Sequence, residues 1–257
     1  MDKVDSLENM GCFCFTEVGY GNNAVEMETT ARYDSLTKQF TIDSPTPLSH
    51  KYWITNGAKH SNYAVVFAQT IVDGKNEGVN VFIVRIRNER MEPCPGVEIE
   101  DMGFKIGLNG VDNARLAFNN VKIPRENMLN RLNDVDENGV FKSDIKKRAQ
   151  RFFKATDRLL SGRLCIAAMS LSGTKINLYH AIKYSQRRLA VGPTGLSDTP
   201  IFNYQLQQNA LLPLVARTFV ITCGYNYGKQ IFCNPSGKEH EFIALICAIK
   251  CLAGWNT

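Results

Sequence analysis

Apolar and polar residues alternate with a period of two through the first half of the chain. Such alternation, in runs rich in β-branched and aromatic residues, is typical of strands that bury one face. Turn-forming residues separate the runs, for example at 34–37, 73–78 and 93–96. Many short strands at regular spacing predict a compact β-barrel or sandwich. The predicted strands cover 13–17, 29–34, 39–43, 50–55, 63–72, 79–87, 97–100 and 114–123.

The period becomes helical after residue 150. Apolar residues recur at intervals of three and four over 152–188, which predicts a long helix. Gly and Pro residues at 191–200 end it, a second helix is predicted over 201–233 with Pro213 as a candidate kink, and a third starts near Lys238. The predicted fold class is therefore α+β, with a β-barrel domain followed by an antiparallel helical bundle. The predicted domains are 1–127 for the barrel, 128–150 for a polar surface connection and 151–257 for the helices.

Composition narrows the class of protein. The chain has 257 residues, and its hydrophobic share of 44% is enough for a real core. Its formal net charge of +5 is small and dispersed, so nucleic acid is not expected as a partner, and no apolar run is long enough to span a bilayer. Eight cysteines lie scattered in apolar stretches without a secretory leader, which favours a reducing compartment. No histidine or further cysteine pair stands at zinc-finger spacing, so no metal site is predicted.

Two stretches carry the candidate chemistry, GCFCFTEVGYGNN at 11–23 and KYWITNG at 51–57. In the first, an apolar alternating run delivers Thr16 and Glu17 into a loop whose glycines let a flat ligand approach the backbone. In the second, Trp53 offers a ring for stacking and Thr55 follows with a hydroxyl. Two strand ends with these groups suit a planar heteroaromatic cofactor.

Both stretches resemble the flavin-binding strands of the acyl-CoA dehydrogenase and acyl-CoA oxidase superfamily. The resemblance extends in the same order to MGFKIGLNGVDN with VKIPRENML, to SGR at 161–163, and to YSQRRLAVG followed by YQLQQ. It covers nearly the whole chain and implies the superfamily's middle barrel and most of its C-terminal bundle. Several of these stretches favour the oxidase branch, whereas Thr55 in ITNG is the dehydrogenase form, so an acyl-CoA dehydrogenase stays as the alternative.

The resemblance implies FAD as the cofactor and gives individual residues a role. Thr16 would hydrogen-bond the pyrimidine edge of the flavin, Trp53 would pack beside its ring, and Thr55 would lie next to N5. Glu17 is expected to order the loop and not to act as the base. The other implied cofactor contacts are Phe13, Phe15, Gly19, Arg188 and Gln205, and the implied acyl-CoA contacts are Gly21, Asn22 and Arg163.

Arg188 is expected to act on a neighbouring subunit. In the superfamily the matching arginine reaches the pyrophosphate of the partner's flavin, and a guanidinium suits phosphate because its fork makes two parallel bonds. On the predicted helix, Arg163 and Arg188 lie roughly 37 Å apart at about 1.5 Å per residue, so they cannot serve the same small site. The resemblance therefore implies a homodimer.

The implied reaction is that of an acyl-CoA oxidase of fatty-acid β-oxidation. Acyl-CoA is dehydrogenated across Cα and Cβ to trans-2-enoyl-CoA, and O2 is reduced to H2O2. The superfamily's catalytic glutamate is expected beyond Thr257 and its N-terminal helical domain before Met10, so we expect a truncated form that does not turn over acyl-CoA by itself. The family analogy implies a peroxisomal location. The alternative from another class is a non-catalytic relative that binds acyl-CoA or a partner.

Overall fold

The chain folds into two units with separate hydrophobic cores. A computed structural model describes residues 2–21, 23–156, 158–234, 237 and 239–257. Contacts between Cα atoms divide the chain into Met1–Ala155 and Thr156–Thr257. The first unit is mostly strands, and the second is mostly helices.

The first unit opens with a four-residue helix, α1, at Asp2–Asp5 and continues with nine strands. Each of the eight segments predicted to be extended forms a strand, and the last of them forms two, which turn at Asn119 and Asn120. The strands are β1 Gly11–Cys14, β2 Thr30–Asp34, β3 Gln39–Asp43, β4 Lys51–Thr55, β5 Tyr63–Val72, β6 Lys75–Arg85, β7 Val97–Asp101, β8 Asn113–Phe118 and β9 Val121–Pro124.

These nine strands form two sheets. The larger has the order β1-β5-β2-β3-β9, with β6 also paired to β5, and the smaller has the order β4-β8-β7. β5 is the central strand of the larger sheet, because two strands pair along one of its edges. β1 pairs in parallel with its first half and β2 with its second half, while β6 runs antiparallel along its other edge.

The inner faces of both sheets meet in one core. The larger sheet contributes Cys12, Cys14, Phe40 and Phe82, and the smaller contributes Leu116 among others. Full burial of a large apolar side chain such as Phe40, Phe82 or Leu116 stabilises the fold by about 1.5–3 kcal/mol. Period-two alternation places these residues on one face, and the predicted β-barrel is confirmed.

The segment predicted as a surface connection, 128–150, contains regular structure. It holds an antiparallel hairpin of β10 Asn133–Val135 and β11 Phe141–Ser143, and it includes the start of helix α2, Arg148–Ala155. α2 packs on β6, where the buried Arg151 guanidinium donates to the carbonyl of Glu77 at 2.8 Å. Helical periodicity does not reveal which body a helix packs against, so α2 lies in the first unit and not in the predicted helical domain at 151–257.

The second unit consists of three long helices, as predicted. They are α3 Arg158–Arg187, α4 Gln205–Cys233 and α5 Glu239–Asn256, and a short hairpin of β12 Leu189–Ala190 and β13 Thr199–Pro200 joins the first two. Their core includes Leu164, Leu171, Ile231 and Ile246. The helix predicted over 152–188 is in fact two helices, α2 and α3. Pro213 lies within α4, which continues through it.

Neither a membrane span nor a metal cluster occurs in the part of the chain that the structure describes. No helix there combines the length and apolar character needed to cross a bilayer. No three His, Cys, Asp or Glu side chains converge there as a metal ion would require. The eight cysteines are free thiols.

The barrel core generates a stability prediction. Phe82 is fully buried, and Phe82→Ala should lower the free energy of unfolding of the first unit by about 3–5 kcal/mol through lost transfer energy and a new cavity. The chain has two tryptophans, so a Trp255→Phe background lets the fluorescence of Trp53 report the first unit in urea. Leu36→Ala is the control, because the Leu36 side chain is 93% exposed, and it should change the free energy of unfolding by close to zero. Equal losses for both variants would contradict the assigned core.

Candidate functional site

The chain after β1 pairs with β4 and so brings the two candidate stretches together. The backbone N–H of Tyr52 donates to the carbonyl of Thr16 at 2.9 Å, and that of Val18 donates to His50 at 3.0 Å. Thr16 is therefore a direct cross-strand neighbour of Tyr52, one residue from Trp53. Its side chain is half-buried, and among the described residues its hydroxyl has no hydrogen-bond partner. The two strand ends therefore form one edge of the first unit.

Trp53 lies at an irregularity in β4. The register with β8 shifts between Lys51 and Ile54, and Trp53 itself has a left-handed φ of 62°. For a bulky residue this conformation costs about 1–3 kcal/mol and persists only where the surroundings enforce it. Bulges of this kind re-aim a side chain, and here the indole remains 47% exposed. Its ring is available for stacking.

A buried ion pair between Glu17 and Lys51 lies directly behind this edge. Lys51 Nζ is 3.0 Å from Glu17 Oε1, and both side chains are fully buried. The ammonium also donates to the carbonyl of Phe67 at 2.7 Å and to that of Phe15 at 3.3 Å. Burial lowers the pKa of Lys51, and the Glu17 carboxylate opposes that shift. Lys51 thus ties β4 to the end of β1 and to β5.

The Glu17 carboxylate is fully used by the protein. Oε1 accepts from the Thr29 hydroxyl at 2.6 Å and from the Thr29 backbone N–H at 3.1 Å, while Oε2 accepts from the Glu28 N–H at 2.8 Å. Lys51 is the fourth donor, and with only 2% of the residue exposed the carboxylate has no open path by which to take a proton from a ligand. These contacts agree with the expectation that Glu17 orders the loop and is not a base.

Phe13 and Phe15 lie on the face of β1 opposite the buried cysteines. The ring of Phe15 contacts Phe67 at a centroid distance of 4.7 Å and stacks on Phe152 of α2 at 6.2 Å. Phe13 also contacts Phe67, at 4.9 Å, yet stays 50% exposed. Phe15 is therefore part of an aromatic cluster of the first unit, whereas Phe13 presents free ring surface.

Thr55 ends β4 opposite the first residue of β8. It pairs in register with Asn113, whose Nδ2 donates to Thr55 Oγ1 at 3.4 Å. Asn113 Oδ1 accepts from Lys105 Nζ at 2.8 Å. The same ammonium lies 5.8 Å from the centroid of the Trp53 ring, a distance at which a cation is attracted to the indole face. Lys105 and Asn113 thus connect the two β4 side chains, Trp53 and Thr55.

Comparison with known proteins identifies the family of this chain. The family profile described as acyl-CoA dehydrogenase, middle domain, matches residues 12–121. Acyl-coenzyme A oxidase 3 of Arabidopsis thaliana, named as peroxisomal, is 38% identical over 248 residues, which make up 96% of this chain and 37% of that protein. The chain belongs to the acyl-CoA dehydrogenase and oxidase superfamily. The family predicted from the sequence motifs is confirmed.

Solved oxidases of the superfamily share the fold. Acyl-CoA oxidase 1 of Yarrowia lipolytica aligns with a TM-score of 0.82 at 32% identity, over 97% of this chain and 39% of that one. Acyl-CoA oxidase-1 of Caenorhabditis elegans, solved in complex with FAD and ATP, aligns with a TM-score of 0.74 at 31% identity, over 97% and 37%. The chain therefore spans less than half the length of these oxidases. The predicted α+β class is confirmed.

The glycines that the superfamily motif supplies differ in their surroundings. A Cβ on Gly19 would lie 2.9 Å from Leu48 Cβ, so glycine is needed there for the strand pairing, in which its N–H donates to Leu48 at 3.0 Å. We predicted Gly19 for ligand approach, and the structure gives it this packing role. Gly21 is exposed, and a Cβ there would meet only Thr16 Cγ2, at 4.0 Å. Asn22, predicted to contact acyl-CoA, lies outside the described residues.

The three candidate site residues of the second unit, Arg163, Arg188 and Gln205, are all exposed. Arg163 lies in the first turns of α3, where its guanidinium is 3.5 Å from the carbonyl of Leu159. Arg188 follows the last residue of α3, and its carbonyl accepts from the N–H of Ile201 at 2.9 Å. Gln205 is the first residue of α4. Arg188 caps the C-terminal end of α3, because its N–H donates to the carbonyl of Tyr184 at 2.8 Å, so most of the helix separates it from Arg163.

Sequence reasoning missed Lys105 and Asn113. Both stand in MGFKIGLNGVDN, which supported the family resemblance, but nothing in that motif shows that Lys105 reaches a tryptophan about fifty residues earlier. The start of β8 at Asn113 was also one residue outside the predicted strand. Only the pairing of β8 with β4 brings these side chains to Thr55.

The buried ion pair generates the second prediction. Lys51→Met should lower the free energy of unfolding of the first unit by about 3–5 kcal/mol, because it leaves a buried carboxylate without its cation. The double variant Glu17→Gln/Lys51→Met should be more stable than Lys51→Met alone, since the amide oxygen still accepts hydrogen bonds without carrying a charge. Urea unfolding followed by Trp53 fluorescence in the Trp255→Phe background measures both.

Lys59→Met is the matched control for that experiment. Lys59 Nζ is 3.5 Å from Asp101, with the two side chains 66% and 45% exposed, so its loss should cost less than about 1 kcal/mol. The assigned role of the Glu17–Lys51 pair would be wrong if the two lysine variants lost equal stability, or if the double variant were the least stable of the set.

Proposed function

We propose that this chain forms the flavin-binding part of an FAD-dependent acyl-CoA oxidase. The substrate is acyl-CoA, the products are trans-2-enoyl-CoA and H2O2, and the location is the peroxisome. The observation that carries the proposal is the hydrogen-bonded edge on which the Thr16 hydroxyl and the exposed Trp53 ring are neighbours. The peroxisomal oxidase from Arabidopsis thaliana and the FAD complex from Caenorhabditis elegans support the reaction, location and cofactor.

The residues of this edge fit an isoalloxazine. Trp53 and Phe13 present half-exposed aromatic surface to a flat ring. Thr16 offers a hydroxyl that no other described residue occupies, and a hydroxyl can both donate to and accept from the pyrimidine edge of a flavin. Thr55, two residues beyond Trp53, lies on the same strand and serves the N5 side. When bound, FAD would supply the acceptor for the hydride that leaves Cβ of the acyl chain.

The chain's own residues bind and orient the cofactor in this proposal. Thr16 sets the position of the ring, Trp53 covers part of it, and the Glu17–Lys51 pair holds the strands that carry both. Gly21 and Arg163 are proposed to contact acyl-CoA. Preorganised groups of this kind contribute to catalysis because no rearrangement is needed at the moment of reaction.

Arg188 and Gln205 are proposed to serve a neighbouring subunit's flavin within a homodimer. Both side chains are exposed in the second unit, and the Arg188 guanidinium suits the pyrophosphate of FAD. The relatives compared above, which match this chain over nearly its full length, are oxidases. They favour the oxidase reaction over the dehydrogenase alternative despite Thr55.

FAD affinity tests the proposed site directly. Thr16→Val should weaken FAD binding by about 5–15-fold, because it removes one hydrogen bond worth about 1–1.5 kcal/mol while keeping the β-branched shape. Thr41→Val, a strand threonine of β3 with no side-chain bond among the described residues, is the matched control and should bind like the parent chain. Quenching of flavin fluorescence measures the Kd. Equal affinities for the two variants would overturn the role of Thr16.

Complementation tests the action of Arg188 on a partner. Arg188→Gln should weaken FAD binding about tenfold or more, because charge-assisted bonds to phosphate are lost, while Arg187→Gln serves as the neighbouring control. Co-expression of Arg188→Gln with Thr16→Val should then produce a high-affinity fraction that neither variant shows alone. In such a mixed dimer, one site combines an intact Thr16 strand with an intact Arg188. Absence of this fraction in isolated mixed dimers would contradict action across subunits.

A further inference from the structure

Lys105 is connected to the candidate flavin edge through a single buried amide. The loop between β7 and β8 folds back so that Lys105 Nζ donates to the carbonyl of Val111 at 2.6 Å and to Asn113 Oδ1 at 2.8 Å. Bonds between Lys105 and Asn109, in which the Lys105 N–H donates at 2.8 Å and its carbonyl accepts at 2.9 Å, fix the loop in this shape. The ammonium therefore has a defined place beside Trp53 and Asn113.

We propose that Lys105 is a positioning residue that orients the Asn113 amide and thereby makes Thr55 a hydrogen-bond donor toward the cofactor. The proposal rests on the proposed function, since it assigns the ligand of Thr55 to the flavin. It adds two residues, Lys105 and Asn113, and a direction for each hydrogen bond between them.

The direction follows from which groups can donate. An ammonium has only protons to offer, so the amide oxygen of Asn113 must face Lys105. Its NH2 group then faces Thr55, and because that group only donates, Thr55 Oγ1 must accept, at 3.4 Å. The proton of the Thr55 hydroxyl is thereby left for another acceptor. No such acceptor occurs among the residues that the structure describes.

The amide has little freedom to turn the other way. Asn113 is only 3% exposed, and its backbone carbonyl accepts from the N–H of Met102 at 3.0 Å, which closes the loop at the start of β8. Thr55 pairs with it across the strands. A flipped amide would place NH2 against the Lys105 ammonium and leave donors facing donors, an arrangement that costs free energy in a buried site.

An outward-pointing hydroxyl proton selects its ligand. It matches an unprotonated ring nitrogen or a carbonyl oxygen of a heteroaromatic ring and disfavours an N–H at the same place. Oxidised flavin offers such acceptors along the edge that Thr55 is proposed to face. Lys105 therefore influences cofactor binding without touching the cofactor.

Four single variants and one double variant test the direction of these bonds through the Kd for FAD. Asn113→Asp puts a carboxylate where it accepts from both Lys105 and Thr55, so the Thr55 proton turns inward, and we expect FAD binding to weaken about 5–15-fold, as for Thr55→Val. Lys105→Met should weaken it to a similar extent, and Lys105→Arg, another donor-only cation, should restore binding close to the parent value. In the Thr55→Val background, Lys105→Met should have no further effect, because the two residues act through one path.

Lys59→Met is the charge-matched control. It removes one exposed positive charge from the first unit and so reports how far net charge alone alters the binding of anionic FAD. If Lys105→Met weakens FAD binding no more than Lys59→Met, the proposal is overturned. The same holds if Asn113→Asp binds FAD like the parent chain.

A measurement without cofactor separates this proposal from the proposed function. In a chain labelled with 15N-asparagine, the side-chain NH2 signal lost in Asn113→Asp is that of Asn113. Without FAD, this signal should shift in both Lys105→Met and Thr55→Val and stay in place in Lys59→Met. If the parent chain binds no FAD but shows these shifts, the proposed function is contradicted and the hydrogen-bond path from Lys105 through Asn113 to Thr55 still holds. Unshifted signals overturn that path, whether or not FAD binds.

Discussion

The ion pair between Glu17 and Lys51 is the contact on which the candidate site depends. Two charges removed from water destabilise a protein unless their remaining protons and oxygens are also satisfied. Here the ammonium has two backbone carbonyls besides its carboxylate, and the carboxylate has three further donors. The pair and these partners together come from four separate stretches of the chain, at 15–17, 28–29, 51 and 67. Thr16, next to Glu17, and Trp53, two residues after Lys51, consequently have defined positions before any ligand binds, which is what a preorganised site requires.

Local rules of backbone structure are broken where the chemistry is proposed. Trp53 and Asn56 both have left-handed backbone angles, 62° and 63°, at the end of β4, and the β4–β8 register is irregular beside them. Asn tolerates this conformation better than most residues, whereas a bulky Trp rarely adopts it. The surrounding sheets enforce it, and the outcome is an indole turned toward solvent and a threonine held against Asn113. Departures of this kind are expected at functional sites, because the rest of the fold can offset their cost.

The two units contribute different kinds of group to the proposed function. The barrel supplies neutral hydroxyls and aromatic rings, which recognise the flat part of a flavin, whereas the helical unit supplies exposed arginines, which suit its phosphates. A cofactor that is flat and uncharged at one end and anionic at the other calls for both. The proposed assignment of Arg188 and Gln205 to a neighbouring subunit would make dimer formation part of the binding site.

The sequence by itself determined the strands of the barrel, the three long helices and the superfamily, because alternation and helical periodicity are local properties and the motifs keep their order. It also marked Thr16, Trp53 and Thr55 as candidates, since their residue types and spacing identify a strand end. Only the tertiary structure decided that α2 packs on the barrel, that Gly19 is required by Leu48, and that Phe15 belongs to an aromatic cluster. It alone brought Lys105 and Asn113 to Thr55. These contacts join residues far apart in the chain, and their partners are fixed by strand pairing and side-chain packing, which no local pattern encodes.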